Sequence, residues 1–186
     1  HAQRMLGGGG RAVLVVAGPG NNGGDAFEVA AHLKRAGHRV TTVFTGDAAR
    51  LTSDAAVALA KWRDAGGDCL DAIPPRTHFD LVIDGLYGIG LSRALAGADA
   101  ALVERINALG TPILALDAPS GIAGDSGEIL GCAVRATETV TFIARKPGLL
   151  TLDGPDHAGE LHCESLGLDC PAMLAPPGWL VRSPAA

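Results

Sequence analysis

A short apolar run that ends in a glycine-rich loop constrains the fold more than any other feature. Residues 12–17 read Ala-Val-Leu-Val-Val-Ala, a pattern typical of a strand buried on both faces of a parallel sheet. The loop Gly18-Pro-Gly-Asn-Asn-Gly-Gly-Asp25 follows, and residues 24–36 then carry apolar side chains at helical spacing up to Gly37. We therefore predict a strand–loop–helix unit whose loop holds a nucleotide-like ligand.

The alternation of strand and helix continues along the chain. Residues 55–65 and 99–109 are predicted to be helical, and further strands are predicted at residues 39–44, 69–73, 81–84, 112–116 and 139–143, with an edge strand at 160–163. Such alternation indicates β-α-β units. The predicted fold class is α/β: a Rossmann-like three-layer α/β/α arrangement with a mostly parallel central sheet. One domain is assigned to residues 11–170, with flexible flanks at 1–10 and 171–186.

Composition narrows the possible partners. The 186 residues carry a formal charge of -5, which argues against nucleic acid because no basic surplus neutralises phosphates. No run of 18 apolar residues and no secretory signal is found, so no membrane span is predicted. The histidines and the four cysteines lack metal-ligand spacing, which argues against zinc. We expect a cytoplasmic protein with reduced thiols at Cys69, Cys132, Cys163 and Cys170.

The glycines of the first loop match a dinucleotide-binding fingerprint, Gly18-x-Gly20-x-x-Gly23. The alternative is a tight strand-to-helix turn that binds nothing. An ordinary Rossmann site also has an acid at the end of the second strand, but Phe44-Thr45 stands there. The side chains of Asn21, Asn22 and Asp25 crowd the loop instead. A P-loop is excluded because no Gly-Lys-Ser/Thr follows.

Two acids end neighbouring predicted strands. Asp84 begins Asp84-Gly-Leu-Tyr-Gly-Ile-Gly-Leu-Ser-Arg93, and Asp117 lies in Leu116-Asp-Ala-Pro-Ser-Gly121. For each acid, the alternative to a role in ligand binding is that its carboxylate simply caps the turn after the strand. Two acids at adjacent strand ends repel one another unless a cation lies between them or a substrate needs a protonated acid.

Oxygen donors near these acids suggest a site for a hard cation. Ser120, together with Asn22 and Asp84, offers hydroxyl, amide and carboxylate oxygens. The sequence does not choose between potassium and magnesium. The glycines at 88 and 90 let backbone amides reach an anion, and Arg93 is suited to pair with phosphate. Lys146 is interpreted as a solvated lysine in a turn, and the absence of a Gly-x-Ser-x-Gly elbow argues against a hydrolase triad.

Three motifs in order, from Gly18 to Asp25, from Asp84 to Arg93 and from Leu116 to Gly121, closely resemble the YjeF N-terminal domain family, the NAD(P)HX epimerases. Thr139-Val-Thr-Phe142 and Lys146-Pro-Gly-Leu-Leu150 add to the resemblance, which covers roughly residues 11–169. It implies a Rossmann-like isomerase of metabolite repair. Its reaction interconverts the R and S epimers of hydrated NADH or NADPH, damaged cofactors with a hydroxyl on the reduced nicotinamide ring.

The resemblance also implies a set of site residues. Potassium is expected at Asn22, Asp84 and Ser120. Substrate contacts are expected from Asn21, Asn22, Gly23, Gly24 and Asp25, from Gly88, Ile89, Gly90, Leu91, Ser92, Arg93 and Ala94, and from Asp117.

Further expectations concern partners and departures from the family pattern. The resemblance implies a homodimer and a covalent or functional link to an ADP- or ATP-dependent dehydratase. Ala26 stands where the family usually has glycine, and Ala118 where it has isoleucine. The family carries about two helices ahead of the first strand, where ten residues precede it here, and no dehydratase domain is present.

Inversion of the hydroxyl-bearing carbon requires its C–O bond to break and re-form, and Asp117 is the candidate acid and base. Two other functions are possible for a chain with this predicted fold. An NAD-dependent dehydrogenase needs the ribose-binding acid that is missing. A non-catalytic nucleotide- or protein-binding module of the same fold is expected to lose the polar groups, all of which are present.

Overall fold

The structure is a computed structural model that describes residues 1–168. Its strands are β1 (Ala12–Ala17), β2 (Arg39–Phe44), β3 (Cys69–Leu70), β4 (Leu81–Gly85), β5 (Ile113–Leu116), β6 (Glu138–Phe142) and β7 (Glu160–Glu164). Its helices are α1 (Ala2–Leu6), α2 (Asn21–Arg35), α3 (Ser53–Asp64), α4 (Gly97–Asn107) and α5 (Gly154–Ala158). Short 3₁₀ turns occupy Ala48–Arg50 and Pro147–Leu149.

The seven strands form one sheet in the order β3-β2-β1-β4-β5-β6-β7. Every neighbouring pair is parallel, so the predicted α/β class is confirmed and the sheet is wholly parallel. The predicted edge strand is β7. None of the described helices is long and apolar enough to cross a membrane.

The side chains of β1 divide the core into two layers. Val13, Val15 and Ala17 pack with residues of α2 and α3, among them Phe27 and Trp62. Leu14 and Val16 point the other way and pack with residues of α4, because successive strand side chains alternate between the faces. Each fully buried large apolar side chain contributes about 1.5–3 kcal/mol to folding. The continuous apolar sequence of β1 thus reflects helices on both faces of the sheet.

The strand order reverses direction at β1. The chain runs outward from β1 through β2 to β3, and then returns to place β4 on the other side of β1. Loops that leave two strands at such a point diverge and open a crevice beyond their carboxyl ends, where open α/β sheets bind ligands. The glycine-rich loop leaves β1 at this point, and the segment that follows Asp84 leaves β4.

The boundaries of most elements agree with the predictions within two residues, and two elements differ by more. Helix α2 begins at Asn21 rather than at residue 24, so Gly23 and Gly24 lie inside its first turn although glycine is a poor helix former. Close packing explains both glycines, because a Cβ at Gly23 would lie 1.9 Å from the carbonyl oxygen of Gly18 and one at Gly24 would lie 3.1 Å from Ala55. Strand β3 is shorter than predicted.

The N-terminal residues also differ from the prediction, which placed 1–10 in a flexible flank. Leu6 of α1 is 4% exposed and belongs to the core cluster of β1. Arg4 pairs with Glu138 of β6 at 2.5 Å. The burial of Leu6 escaped the sequence analysis because one helical turn shows no periodicity. The second predicted flank, 171–186, lies outside the described residues.

A group of ionisable side chains attaches α1 to the far edge of the sheet. The potential metal-ligand atoms of His1, Glu138 and His162 lie within 4.8 Å of one another. The spacing of these residues in the sequence did not predict this cluster. His1 also pairs with Glu164 at 2.9 Å, and Arg4 pairs with Glu138. Because Arg4 and His1 already contact the carboxylates of Glu138 and Glu164, we interpret the cluster as a contact between α1 and the strands β6 and β7.

Because Leu6 packs α1 against the core, Leu6→Ala should lower the free energy of unfolding by about 2 kcal/mol. This value is at the low end for buried leucine truncations because the site lies near the terminus. Gly9→Ala is the matched control, since nothing lies within 4 Å of a Cβ there, and should change stability little. Urea unfolding of both variants makes the measurement. Equal stability of the two variants would mean that α1 is not docked.

Candidate nucleotide-binding site

Two connected cavities lie beyond the carboxyl ends of β1, β4 and β5. The main cavity has a volume of about 630 Å³ and the side cavity one of about 330 Å³. Asp25, Ile89 and Asp117 line both. The main cavity is otherwise lined by Pro19, Gly20, Asn21, Asn22, Leu86, Tyr87, Gly88, Gly90, Leu91, Ser92 and Arg93, and the side cavity by Phe142, Ile143, Lys146 and Leu166. Volumes of this size are in the range of small-molecule and cofactor sites.

The glycines of the first loop have distinct roles. A Cβ at Gly18 would lie 1.7 Å from the carbonyl oxygen of Leu86, so this glycine lets the loops after β1 and β4 touch. Nothing lies within 4 Å of a Cβ at Gly20, which lines the main cavity. Gly20 is also the N-cap of α2 and offers no side chain. The positive end of α2 is therefore open to an anionic ligand.

Asp84 lies near the carboxyl end of β4, two residues before the cavity-lining Leu86, and is fully buried. Its carboxylate accepts hydrogen bonds from the Ser120 hydroxyl at 2.6 Å, the Ser120 N–H at 2.9 Å and the Leu86 N–H at 3.2 Å. Burial raises the pKa of Asp84, while the bonds from Ser120 and Leu86 lower it. These bonds tie the end of β4 to the loop after β5.

The three residues predicted to hold a cation converge on this point. Asn22 packs against Gly88, where an added Cβ would lie 3.3 Å from its amide carbon. Ser120 accepts a hydrogen bond from the Tyr87 N–H at 2.8 Å. Both polar atoms of the Asn22 amide are buried and have no hydrogen-bond partner among residues 1–168.

This donor set fits a hard cation. A buried amide without a partner is costly, and a cation accepted by its oxygen removes part of that cost. The same charge would stabilise the buried carboxylate of Asp84. Amide, carboxylate and hydroxyl oxygens are the ligands that hard cations prefer.

Asp117 has a left-handed backbone with a φ of 64°, which is uncommon outside glycine and is typical of functional sites. In the described part of the chain, the hydrogen bonds of its carboxylate are made by Oδ1, which accepts from the Thr141 hydroxyl and the Phe142 N–H at 3.3 Å each. The same oxygen is ion-paired with Lys146. Oδ2 takes part in none of these contacts, and Asp117 lines both cavities.

Asp25 lies in α2 directly after its first turn, and it lines both cavities together with Asp117. The residue is exposed to the cavity space, but the protein around its carboxyl group removes enough water to raise the pKa of that group to about 6, and the nearby charges of Asp117 and Glu28 add to the shift. A carboxyl group of this kind exchanges protons close to neutral pH.

Arg93 is exposed at the rim of the main cavity. Its guanidinium donates to Asp99 at 3.1 Å and to the Tyr87 hydroxyl at 3.3 Å. Burial and Asp99 raise the pKa of Tyr87 to about 12, so its hydroxyl stays protonated and donates to Asp99 at 2.8 Å. Arg93 is thus held in place by protein groups at the rim.

Most of the substrate contacts predicted from the sequence line the main cavity. The exceptions are Gly23 and Gly24, which are buried inside α2, and Ala94, which lies beyond the rim. Lys146 is the most important residue that the sequence analysis misjudged, because it pairs with Asp117 rather than with solvent. The Lys-Pro-Gly motif directly after β6 was the available signal, since this position faces the same end of the sheet.

A wholly parallel sheet with a cleft where its strand order reverses defines a Rossmann-like α/β protein. The family model of the YjeF-related protein N-terminus matches residues 2–148. The chain belongs to this family.

Named relatives agree with that assignment. An NAD(P)H-hydrate epimerase of Achromobacter xylosoxidans is 47% identical over 161 residues, which cover 86% of this chain and 77% of that protein. An enzyme with the same name from Bordetella bronchiseptica is 45% identical over 170 residues, covering 89% of this chain and 74% of that protein. A bifunctional NAD(P)H-hydrate repair enzyme of Leishmania braziliensis is 40% identical over 161 residues, 84% of this chain and 29% of that protein.

A solved structure supports the fold independently. The crystal structure of the yeast protein ynu0 superposes with a TM-score of 0.65 at 24% identity, covering 75% of this chain. The chain spans 60% of the yeast chain's length.

The two glycines of the first loop should respond differently to substitution. Gly20→Ala should fold normally and weaken dinucleotide binding, because its Cβ enters the main cavity. Gly23→Ala should be destabilised by several kcal/mol, because its Cβ meets a backbone oxygen at 1.9 Å. Thermal unfolding and calorimetric titration with NADP⁺ separate the two effects. Unchanged affinity in folded Gly20→Ala would place the ligand away from this loop.

Proposed function

We propose that the protein is an NAD(P)H-hydrate epimerase, an isomerase that interconverts the R and S forms of hydrated NADH and NADPH. The observation that carries the proposal is the carboxylate of Asp117 at the cavity wall: Lys146 fixes its Oδ1, and its Oδ2 makes no hydrogen bond to any described residue. The printed names of relatives at 45–47% identity support it. The retention of Asn22, Asp25, Asp84, Asp117 and Ser120 argues against a binding module that has lost its chemistry.

The cleft supplies binding and proton transfer. The diphosphate of the substrate lies against the N-terminus of α2, which offers backbone N–H groups and a positive dipole. The nitrogen of the reduced ring expels the hydroxyl as water and leaves a planar iminium ion. Water then adds to the opposite face of that ion and inverts the carbon. Asp117 exchanges a proton with the oxygen at this carbon, which contributes about 10²–10⁴-fold to the rate.

A potassium ion is part of the proposal. Asn22, Asp84 and Ser120 would hold it, and its charge would favour anionic groups of the substrate at the open end of α2. The unpartnered amide of Asn22 and the buried carboxylate of Asp84 support this assignment.

The proposal also covers the cellular location of the enzyme, its link to a dehydratase and its oligomeric state. A cytoplasmic location is supported by the free thiols of Cys69, Cys132 and Cys163. A link to a dehydratase is supported by the bifunctional name of the Leishmania relative. A homodimer stays a prediction, for which light scattering on the purified protein is the test.

The activity test removes one epimer and follows the other. A mixture of R and S NADHX is incubated with an S-specific dehydratase, and the loss of the R form is timed with and without this protein. We expect the wild type to speed the loss of the R form far beyond the spontaneous rate. The acceleration by Asp117→Asn should be at least about 100-fold smaller, although this variant should still bind NADP⁺. A wild type that binds nucleotide and leaves the rate unchanged would instead favour a non-catalytic module.

A further inference from the structure

Inversion at the hydroxyl-bearing carbon places chemistry on both faces of the ring. The departing hydroxyl takes up a proton on the face that it leaves. The incoming water attacks the opposite face and releases a proton there. A single fixed side chain reaches one face only, so a site for this reaction is better served by two proton-transfer groups with the ring between them.

The cleft presents two carboxyl groups from opposite sides of β4. Asp25 belongs to the segment that follows β1, and Asp117 to the segment that follows β5. These two strands are the neighbours of β4 in the sheet. Because adjacent strands lie about 4.8 Å apart, the two segments leave the sheet about 10 Å apart. Both side chains line the main cavity and the side cavity.

The structure holds these two carboxyl groups in different ways. Lys146 donates to Asp117 Oδ1, to the Thr141 hydroxyl at 2.9 Å and to the Phe142 carbonyl at 2.7 Å. These contacts use all three N–H donors of the ammonium group. Lys146 therefore fixes the orientation of Asp117 and is itself left with no proton donor for the substrate.

Asp25 is not held in this way. Within residues 1–168 its carboxyl group makes no hydrogen bond to another side chain or to the backbone. Its pKa of about 6 follows from desolvation of the carboxyl group at the cavity wall and from the charges of Asp117 and Glu28. Two carboxyl groups in unlike environments are the arrangement by which enzymes obtain an acid and a base from one residue type.

We infer that Asp25 and Asp117 form a two-face acid–base pair, with Lys146 as the positioning residue of Asp117; the inference rests on the proposed epimerase function. The Asp25 carboxylic acid gives its proton to the hydroxyl, the C–O bond breaks, and water leaves from that face. A second water forms the new C–O bond on the other face and passes its proton to Asp117. In the reverse direction the two carboxyl groups exchange roles, so one singly protonated pair serves both epimers.

The first experiment compares Asp25→Asn with Glu28→Gln, which removes one negative charge from the same helix. Asp25→Asn should lower kcat in both directions by about 100-fold or more and change the affinity for NADP⁺ by no more than a few-fold. Glu28→Gln should keep kcat within about twofold when each protein is compared at a pH below its own fall in rate, since Glu28 lies outside the lining of both cavities. The inference is overturned if folded Asp25→Asn retains a third or more of the wild-type kcat.

The pH profile is a second readout of the pair. In the wild type kcat/KM should fall as the pH rises through about 6, because the protonated form of Asp25 is depleted. In Glu28→Gln the fall should move to lower pH, since a charge that raises this pKa is gone. A fall at the same pH in Asp25→Asn would contradict the assignment. The charged groups around Asp25 are Glu28 and its partner Lys61, Asp117, Lys146 and Arg93.

The role of Lys146 has its own test. Lys146→Met should lower kcat with little change in KM, and Lys146→Arg should recover part of the loss by restoring a cationic donor. Equal losses in the two variants, or a loss confined to KM, would exclude a positioning role. The wild-type rate separates the two levels of the account: an inactive wild type refutes the epimerase function, whereas an active wild type with an active Asp25→Asn refutes the acid–base pair alone.

Discussion

The site depends on the buried carboxylate of Asp84 and its hydrogen bonds to Ser120. Those bonds, at 2.6 Å and 2.9 Å, join the end of β4 to the loop after β5, and the contact of Ser120 with the Tyr87 N–H joins that loop to the segment after β4. Asp84 and its partner Ser120 therefore hold together the segments after β4 and β5 that form the cleft. Removal of a group that satisfies several buried partners costs more than an average hydrogen bond, so this acid is essential to the shape of the cleft.

The cleft above this acid is built from backbone as much as from side chains. Gly18 lets the loop after β1 approach Leu86, and Gly20 leaves the N-terminus of α2 open. Strain is concentrated on the opposite wall, where Asp117 and Ile143 both have positive φ values. Such conformations persist only where surrounding contacts enforce them, and the contacts of Lys146 with Asp117 and Phe142 do so here. A preorganised carboxylate opposite a helix N-terminus suits a reaction whose intermediate is a cation on an anionic substrate.

Much of this arrangement could be predicted from the sequence, for identifiable physical reasons. The continuous apolar pattern of residues 12–17 predicted a doubly covered strand, and Asp84 and Asp117 could be placed at one sheet edge because parallel strands end together. The role of Lys146 could not be predicted, since a lysine in a turn looks the same whether it faces solvent or reaches an acid 29 residues away. The docking of Leu6 was also hidden, because one helical turn carries no periodic signal.

The most direct test of the account is the response of stability to potassium, since the central claim is that Asp84 and its neighbours form a cation-supported floor. Thermal unfolding of the wild type and of Asp84→Asn is measured in potassium chloride and in choline chloride at equal ionic strength. A cation that binds only the folded state raises stability, by about 2.7 kcal/mol at 100 times its Kd, and each kcal/mol shifts the Tm of a chain of this size by about 2–4 °C. The account predicts that the wild type has a higher Tm in potassium chloride than in choline chloride, and that Asp84→Asn has the same Tm in both salts. Equal Tm values for the wild type in both salts, or an equal potassium response in the variant, would contradict it.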